Sequence, residues 1–333
     1  MVASPHLKLV VMGTGPFAVP MFEALRHSPH PILAVVTRPA HAAPGRRPPK
    51  NPMRDAAEAA GIPVLAPERV NDDESVAAIE KLEADLFVVC DYGQILSPRL
   101  LAAAPLGGIN LHGSLLPRHR GAAPVQWAIL EGDPITGVSV IHMTPALDAG
   151  AVIVARAAPI YPGDTALELE RHLATLGADA TLEAIERLQA AAALQKLGEP
   201  LAVGIPQDAA HATKAPRLTK ADGVVQWSQP AHRLERMRRA LEPWPRTASF
   251  LHRDGATPLR LVLEDVAVVE HRAAAAAAPG TILGADDDGI VVACGAGTAL
   301  AIRQLLPEGR RSMTAAEFLR GHPILPGMRF APR

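Results

Sequence analysis

An amide and an imidazole stand two residues apart, as Asn110 and His112, at the end of the short apolar run Gly108-Ile109-Asn110-Leu111-His112. In an extended chain successive side chains point to opposite faces, so this spacing puts both groups on one side and Leu111 on the other. Side by side they suit acyl-type transfer. An amide N–H stabilises an oxyanion as it develops, and an imidazole relays protons near neutral pH. Further along, Asp148 lies in Ala146-Leu147-Asp148-Ala149-Gly150, a sequence that by itself reads as a turn. A carboxylate brought against His112 would orient the ring and favour its cationic form. Asn110, His112 and Asp148 are therefore the candidate catalytic residues.

The elements that must position them are legible as a pattern. Apolar runs at 7–12, 32–37 and 86–90 alternate with helical patterns at 17–27, 53–60 and 72–83, followed by the short strand 108–113 and a helix at 123–131. This alternation argues for an α/β domain with a parallel sheet covered on both faces. Ligands bind beyond the carboxyl ends of such strands, which gathers Gly13–Gly15, Tyr92 and Asn110–His112 at one rim. Strand-like stretches at 137–143 and 151–160 and a long helical pattern at 165–193 complete this part. After a helical piece at 231–241 come short apolar runs at 259–263, 266–269, 281–283, 290–293 and 299–306, separated by turn residues. Such spacing predicts a small β-barrel or sandwich. The expected organisation is a catalytic domain over 1–190, a linker over 191–207 and a second domain over 208–333. The alanine run Ala273–Ala278 reads as a low-complexity connection.

Composition excludes several classes. Hydrophobic residues make up 48% of the 333, enough for real cores, while only 3% are aromatic, so aliphatic side chains must do most of the packing. The net charge is −1, with residues 1–189 acidic and the remainder mildly basic, a balance that suits a polyanionic partner for the second half. The two cysteines, Cys90 and Cys294, have no metal-site spacing and are expected to be reduced. No secretory leader or apolar run of membrane-spanning length is seen, so a cytoplasmic protein is expected. Gly13-Thr14-Gly15 invites a dinucleotide reading, but the second strand ends in Thr37-Arg38 without the acidic residue a ribose needs. A structural turn is the better reading. Arg233, Arg236, Arg238 and Arg239 cluster on one helix, either as a solvated face or as a basic groove for RNA. Trp244, in Pro243-Trp244-Pro245, reads as a packing anchor.

The string Asn110-Leu111-His112-Gly113-Ser114-Leu115-Leu116-Pro117-Arg118-His119-Arg120-Gly121-Ala122-Ala123-Pro124, with Leu147-Asp148-Ala149-Gly150 downstream, resembles the methionyl-tRNA formyltransferases. The likeness runs along nearly the whole chain, through the opening V-V-M-G-T-G-P-F-A-V-P, the D-Y-G at 91–93, the W-P at 244–245 and the A-P-G-T-I-L at 278–283. The resemblance implies a Rossmann-like parallel-sheet N-terminal domain joined to a C-terminal OB-like β-barrel domain that binds tRNA. It implies that 10-formyltetrahydrofolate is the formyl donor, that the methionyl amino group of initiator methionyl-tRNA is the acceptor for translation initiation, and that no metal is used. Carried over residue by residue, Asn110, His112 and Asp148 are catalytic. Ser114, Leu115, Leu116, Pro117 and Tyr92 bind the folate, and Arg46, Arg47 and Lys50 contact tRNA. The expected partner is the tRNA, with neither membrane nor DNA, and the chain acts as a monomer. The sequence departs from the family's Gly/Lys-rich loop with Ala42-Ala43-Pro44-Gly45-Arg46-Arg47-Pro48-Pro49-Lys50, and Asp91 replaces a small residue.

Relatives in chemistry remain as alternatives. A sugar-nucleotide amine formyltransferase can also carry a small β-domain. A formyltetrahydrofolate hydrolase shares the catalytic trio. A glycinamide ribonucleotide formyltransferase would need only one domain, and about 130 residues here would have no use. From a different class, a catalytically silent RNA-binding module is disfavoured by the intact trio.

Overall fold

The computed structural model describes residues 6–40, 50–194, 203–253, 255–324 and 328–332. The chain divides into two compact units. The first comprises residues up to Pro124, Ile135–Pro159 and Leu169–Pro216; the second comprises Val125–Pro134, Ile160–Glu168 and Arg217 onward.

The first unit is built on β1 (Leu9–Gly13), α1 (Val19–Arg26), β2 (Ile32–Val36), α2 (Pro52–Ala59), β3 (Val64–Leu65), α3 (Asp73–Glu80), β4 (Leu86–Cys90), α4 (Pro98–Leu101) and β5 (Gly108–His112). After α5 (Pro124–Glu131) follow β6 (Ile135–His142), β7 (Val152–Pro159) and the long α6 (Ala166–Leu194). The strand order is β3-β2-β1-β4-β5-β6-β7. Pairings from β3 to β5 are parallel, as the apolar runs required: β1 and β4 are buried at every position. The sheet is not parallel throughout, since β6 runs antiparallel to both β5 and β7. The β6–β7 connection, residues 143–151, is shorter than the dozen or so residues a parallel crossover needs. Strand order reverses between β1 and β4, so the crevice for a ligand opens where those strands end, next to the end of β5.

Local sequence sets the helix starts. Asn51 accepts from the backbone N–H of Arg54 and Ser97 from that of Leu100, each followed by a proline in the first turn. On α6, Leu173, Ala180, Thr181, Ala184, Ile185 and Leu188 are buried, an i, i+3/i+4 stripe facing the sheet. The stripe's small residue Gly177 lets the helix approach β5: a Cβ there would lie 2.7 Å from Leu111 Cδ2.

The second unit holds α7 (Ala231–Ala240), β8 (Ala248–His252), β9 (Leu259–Val269), β10 (Ile282–Asp286), β11 (Gly289–Ala293), β12 (Ala299–Pro307), β13 (Met313–Thr314), α8 (Ala315–Gly321) and β14 (Arg329–Ala331). Its antiparallel sheet runs β10-β11-β12-β9-β8-β14, with β13 on β12. A bridge between Thr281 and Arg329 brings the two edges together, with Phe330 N–H donating to Gly280 O at 2.8 Å. The sheet is thus curled on itself into a half-barrel, consistent with an OB-like domain. The apolar runs 259–263 and 266–269 are one strand. The polar pair between them does not interrupt it, because the register shifts at Gln304 and the Glu264 carboxylate is taken up by Arg246 and Ser312. The strands at 248–252 and 329–331 carry too few apolar residues to stand out. Helix α8 had a signal, the capping box Thr314–Glu317, with both reciprocal bonds formed.

Trp227 anchors this barrel. It is 3% exposed, its ring centroid is 5.5 Å from that of Phe330, and its Nε1–H donates to Ser249 Oγ at 2.9 Å in a fully buried contact. Ser249→Ala leaves that indole N–H without a partner, which costs about 1–3 kcal/mol. The expected outcome is a lower denaturant midpoint for the second unit with an unchanged m-value, read from chemical unfolding. An unchanged midpoint would mean that the hydroxyl contributes nothing to holding the indole.

Candidate active site

Alternation along β5 does what its sequence requires. Leu111 turns toward Gly177 on α6, and Asn110 and His112 take the opposite side. The strand is clamped by β4 and β6, with Asn110 opposite Val89 and Ile141 and His112 opposite Ser139. The His112 side chain is 6% exposed. Its Nε2 lies 2.9 Å from His119 O. A carbonyl oxygen only accepts, so Nε2 carries the proton and Nδ1 is the nitrogen left to gain or lose one.

Nδ1 faces Asp148. The separation from Asp148 Oδ2 is 3.7 Å, and the carboxylate side chain is 9% exposed. The same oxygen accepts the backbone N–H of Gly121 at 2.9 Å. The other oxygen, Oδ1, lies 3.5 Å from Asn110 Nδ2, at the edge of hydrogen-bonding reach. The β6–β7 loop thus carries a carboxylate to the amide and imidazole of β5, and the structure brings all three sequence-predicted catalytic residues together. Asp148 has φ +49, a left-handed conformation for a non-glycine residue.

Two glycines make this approach possible. Gly121 has φ +130, and a Cβ there would lie 2.4 Å from Ala215 O; a Cβ on Gly150 would lie 1.8 Å from His142 O. Residues 203–216 run back across the first unit. Ile205 exchanges backbone hydrogen bonds with Val152 at 2.8 Å, and His142 Nε2–H donates to Val203 O at 2.9 Å. Burial holds His142 below the ordinary histidine range, partly offset by that bond, so its ring is a neutral strut. Ala215 N–H donates to Arg120 O at 2.7 Å and Arg120 N–H to Thr213 O at 2.8 Å. Gln207 Nε2 donates to the carbonyls of Asp148 and Gly150. Sequence reasoning missed Gln207, which is 59 positions from Asp148 and sits in a stretch with no periodicity to mark it.

The remaining sequence-predicted residues are placed as follows. Ser114 is fully buried and its hydroxyl donates to Arg118 O at 2.7 Å, while Leu115, Leu116 and Pro117 are half-buried. Leu116 N–H donates to Ser139 Oγ at 3.1 Å, and that hydroxyl donates to Ser114 O at 2.8 Å, so β6 sets the shape of this loop. Tyr92 does not bring its ring to the open rim. It is 2% exposed and packs among Val10, Met12, Val36 and Val89, because the ring is more stable in the core than over a polar crevice. Burial pushes its phenol up to about 12, with nearby Arg38 pulling the other way. Gly13 and Gly15 form a structural turn: Thr14 N–H donates to Asp91 O at 3.1 Å and Thr14 Oγ1 to Tyr92 O at 3.3 Å. Gly15 is flush against the Asp91 carboxylate. Arg46 and Arg47 lie outside the described residues; Lys50 is exposed, beside Asn51, whose amide binds Thr37 and Arg38 O.

The arginines of α7 are drawn into their own unit. Arg233 donates to Leu130 O and pairs with Glu131, Arg238 donates to Glu264 O at 2.6 Å, and Arg239 pairs with Glu235 and donates to Asp164 O. These three are held as structural cations by their own unit. Trp244 is 51% exposed, so the packing-anchor expectation does not hold: prolines on both sides keep the indole out of the core. Among the described residues no helix is long and apolar enough to cross a membrane, and no group of three or more His, Cys, Asp or Glu is gathered to hold a metal ion.

Known proteins match this arrangement over both units. A formyl transferase family matches residues 7–185, and a formyl transferase C-terminal domain family matches residues 217–323. A methionyl-tRNA formyltransferase of Rhodopirellula baltica is 46% identical over 329 residues, with 96% of each chain covered. Another, from Desulfotalea psychrophila, is 40% identical over 319 residues, covering 96% of this chain and 94% of its own. Among solved structures, WlaRD, a sugar 3N-formyl transferase, superposes with a TM-score of 0.63 at 12% identity, covering 92% of this chain and 100% of its own. HypX from Aquifex aeolicus, in complex with tetrahydrofolic acid, gives 0.58 at 17% identity over 95% of this chain and 47% of its own. At those identities the two structures speak for the fold alone.

The burial of Tyr92 has a spectroscopic consequence. The chain has two tyrosines, so Tyr161→Phe leaves Tyr92 as the sole phenol. Burial disfavours phenolate in the folded state, whereas the unfolded chain ionises near ~10. Stability therefore falls as pH rises above ~10, and phenolate absorbance in the folded variant rises only toward pH 12. A reversible rise centred near ~10 in a chain still folded by circular dichroism would place the ring in water.

Proposed function

The chain belongs to the methionyl-tRNA formyltransferase family, and on that premise we propose how its own residues carry the reaction. It transfers the formyl group of 10-formyltetrahydrofolate to the amino group of methionyl-tRNA. Identity of 46% and 40% to methionyl-tRNA formyltransferases over almost the full chain favours tRNA as acceptor over a sugar-nucleotide amine or water. The finer reading is that the tRNA is the initiator species and that the enzyme works as a monomer in the cytoplasm, where charged initiator tRNA is consumed. DNA and membranes play no part. The first unit does the chemistry and the second binds tRNA.

The observation that carries the mechanistic reading is the meeting of Asn110, His112 and Asp148 around one point at the end of β5. The methionyl nitrogen attacks the formyl carbon as its neutral amine. A C–N bond forms, the formyl oxygen takes negative charge, and the bond to the folate nitrogen then breaks. The amide N–H of Asn110 faces that oxygen. His112 takes the proton that the amine must lose and returns it to the departing folate nitrogen. With Nε2 committed to His119 O, the transfer uses Nδ1. Asp148 stabilises the imidazolium that forms and holds the ring in register, fixed in turn by Gly121 N–H.

The donor set fits a folate at the strand ends. The half-buried Leu115, Leu116 and Pro117 offer an apolar wall, and the loops after β1 and β4 offer backbone groups for the polar edge of a pterin. Ser114 contributes through loop shape, and Tyr92 as the buried support beneath the rim. For tRNA, the Arg46, Arg47 and Lys50 segment is the proposed contact, joined by Lys214, Arg217 and Lys220, which are exposed.

Formylation of charged initiator tRNA tests the mechanism. One oxyanion donor is worth about 2.7–4 kcal/mol, so Asn110→Ala lowers turnover by ~100- to 1000-fold with little change in KM. His112→Ala falls at least as far; wild-type turnover in either folded variant would remove that residue from the mechanism. The tRNA assignment predicts a salt effect. For three phosphate contacts, raising salt from 50 to 200 mM weakens tRNA binding by about 20- to 40-fold. A filter-binding titration reads it, and Lys50→Ala should lower the slope by about one contact. Salt-independent binding would argue for a small acceptor instead.

A further inference from the structure

Gln207 is a half-buried amide in an exposed stretch: Gly204, Ile205 and Pro206 before it and Asp208, Ala209, Ala210 and His211 after it are all exposed. Its side chain is nevertheless fully used. Nε2 donates at 2.8 Å to Asp148 O and at 2.8 Å to Gly150 O. Oε1 accepts from Arg120 Nε at 3.1 Å and from the terminal guanidinium nitrogen at 2.7 Å. An amide has two N–H donors and two lone pairs, so all four are satisfied. The residue is thus held here by four polar contacts of its amide.

The geometry points to a function: we propose that Gln207 is a positioning residue for Asp148, working with Arg120 as its clamp. This rests on the reading above that Asp148 supports His112. The two carbonyls it holds are that of Asp148 itself, the residue with φ +49, and that of Gly150 two positions on; an aspartate leaves such a conformation readily unless its surroundings fix it. Arg120 is backbone-paired to Thr213 and Ala215, and its neighbour Gly121 donates to Asp148 Oδ2. One loop therefore grips the carboxylate directly and the turn beneath it through Gln207. The segment 203–216 is in this sense a structural part of the catalytic centre, and its amide sets where the carboxylate oxygen stands relative to His112 Nδ1.

Gln207→Glu is the informative variant. It keeps the acceptor for Arg120 but replaces the two donors with a carboxylate oxygen that repels both carbonyls. A misplacement of about 1 Å at a reacting centre costs up to ~100-fold, so kcat for formylation should fall ~10- to 100-fold, with KM for tRNA and folate within about twofold. The decisive readout is a double-mutant cycle with Asp148→Asn, followed in single turnovers. With the carboxylate gone there is nothing to position, and Gln207→Glu should then cost less than about threefold. Equal losses in both backgrounds, or unchanged kcat in the folded variant, would overturn the proposal. If Gln207→Glu does not fold, Gln207→Met, close in volume, decides by the same cycle; failure of both to fold would make the residue a folding requirement and also overturn it. Wild-type activity of Asp148→Asn alone would instead sink the reading of Asp148, a separately visible result.

Discussion

The site depends on keeping a carboxylate nearly out of water beside an imidazole. Asp148 and His112 are 9% and 6% exposed, and charge so placed is tolerated only where partners replace the lost hydration. Asp148 has three neighbours that do so: Gly121 N–H at full hydrogen-bond strength, the His112 ring, and the Asn110 amide at the edge of reach. They come from two local structures. β5 provides two through its alternation, and the 118–121 loop provides the third. The positive φ of Gly121 and the bare Cα of Gly150 follow from this demand, because the loops must pass closer to Ala215 O and His142 O than any side chain allows.

What the sequence conveyed and what it withheld divide along a physical line. Asn110 and His112 sit on one strand, and period two fixes their relation without any long-range information. The apolar runs of β1 and β4 likewise report a sheet buried on both faces. Asp148 was singled out through its pairing with the Asn110–His112 motif and through the resemblance, not through its own pattern, since Ala-Leu-Asp-Ala-Gly is an ordinary turn sequence. Gln207 left no mark, because its partners are 57, 59 and 87 positions away and no local rule links them. Tyr92 shows what strand position leaves open: the residue stands just after β4, but its ring is buried in the core and not exposed at the rim.

The arginines of α7 show why charge clusters read poorly from sequence. Four cations on ten residues look like a phosphate site. Helix α7 ends amid carbonyls and carboxylates of its own unit, and a guanidinium presents five donors in a planar fork. Arg233, Arg238 and Arg239 each find a backbone carbonyl there, and Arg239 is buried to 8%. A bound guanidinium of this kind contributes to packing and is no longer free to follow a phosphate backbone.

Removing those arginines from the count narrows what can bind a polyanion. Among the exposed cations, Lys50 lies just before α2, Lys214 on the 203–216 segment, and Arg217 and Lys220 just beyond it. That segment is the same one whose Gln207 grips the Asp148 turn. On that segment the half-buried Gln207 amide holds the carbonyls of the Asp148 turn, while the Lys214 side chain stays exposed to solvent.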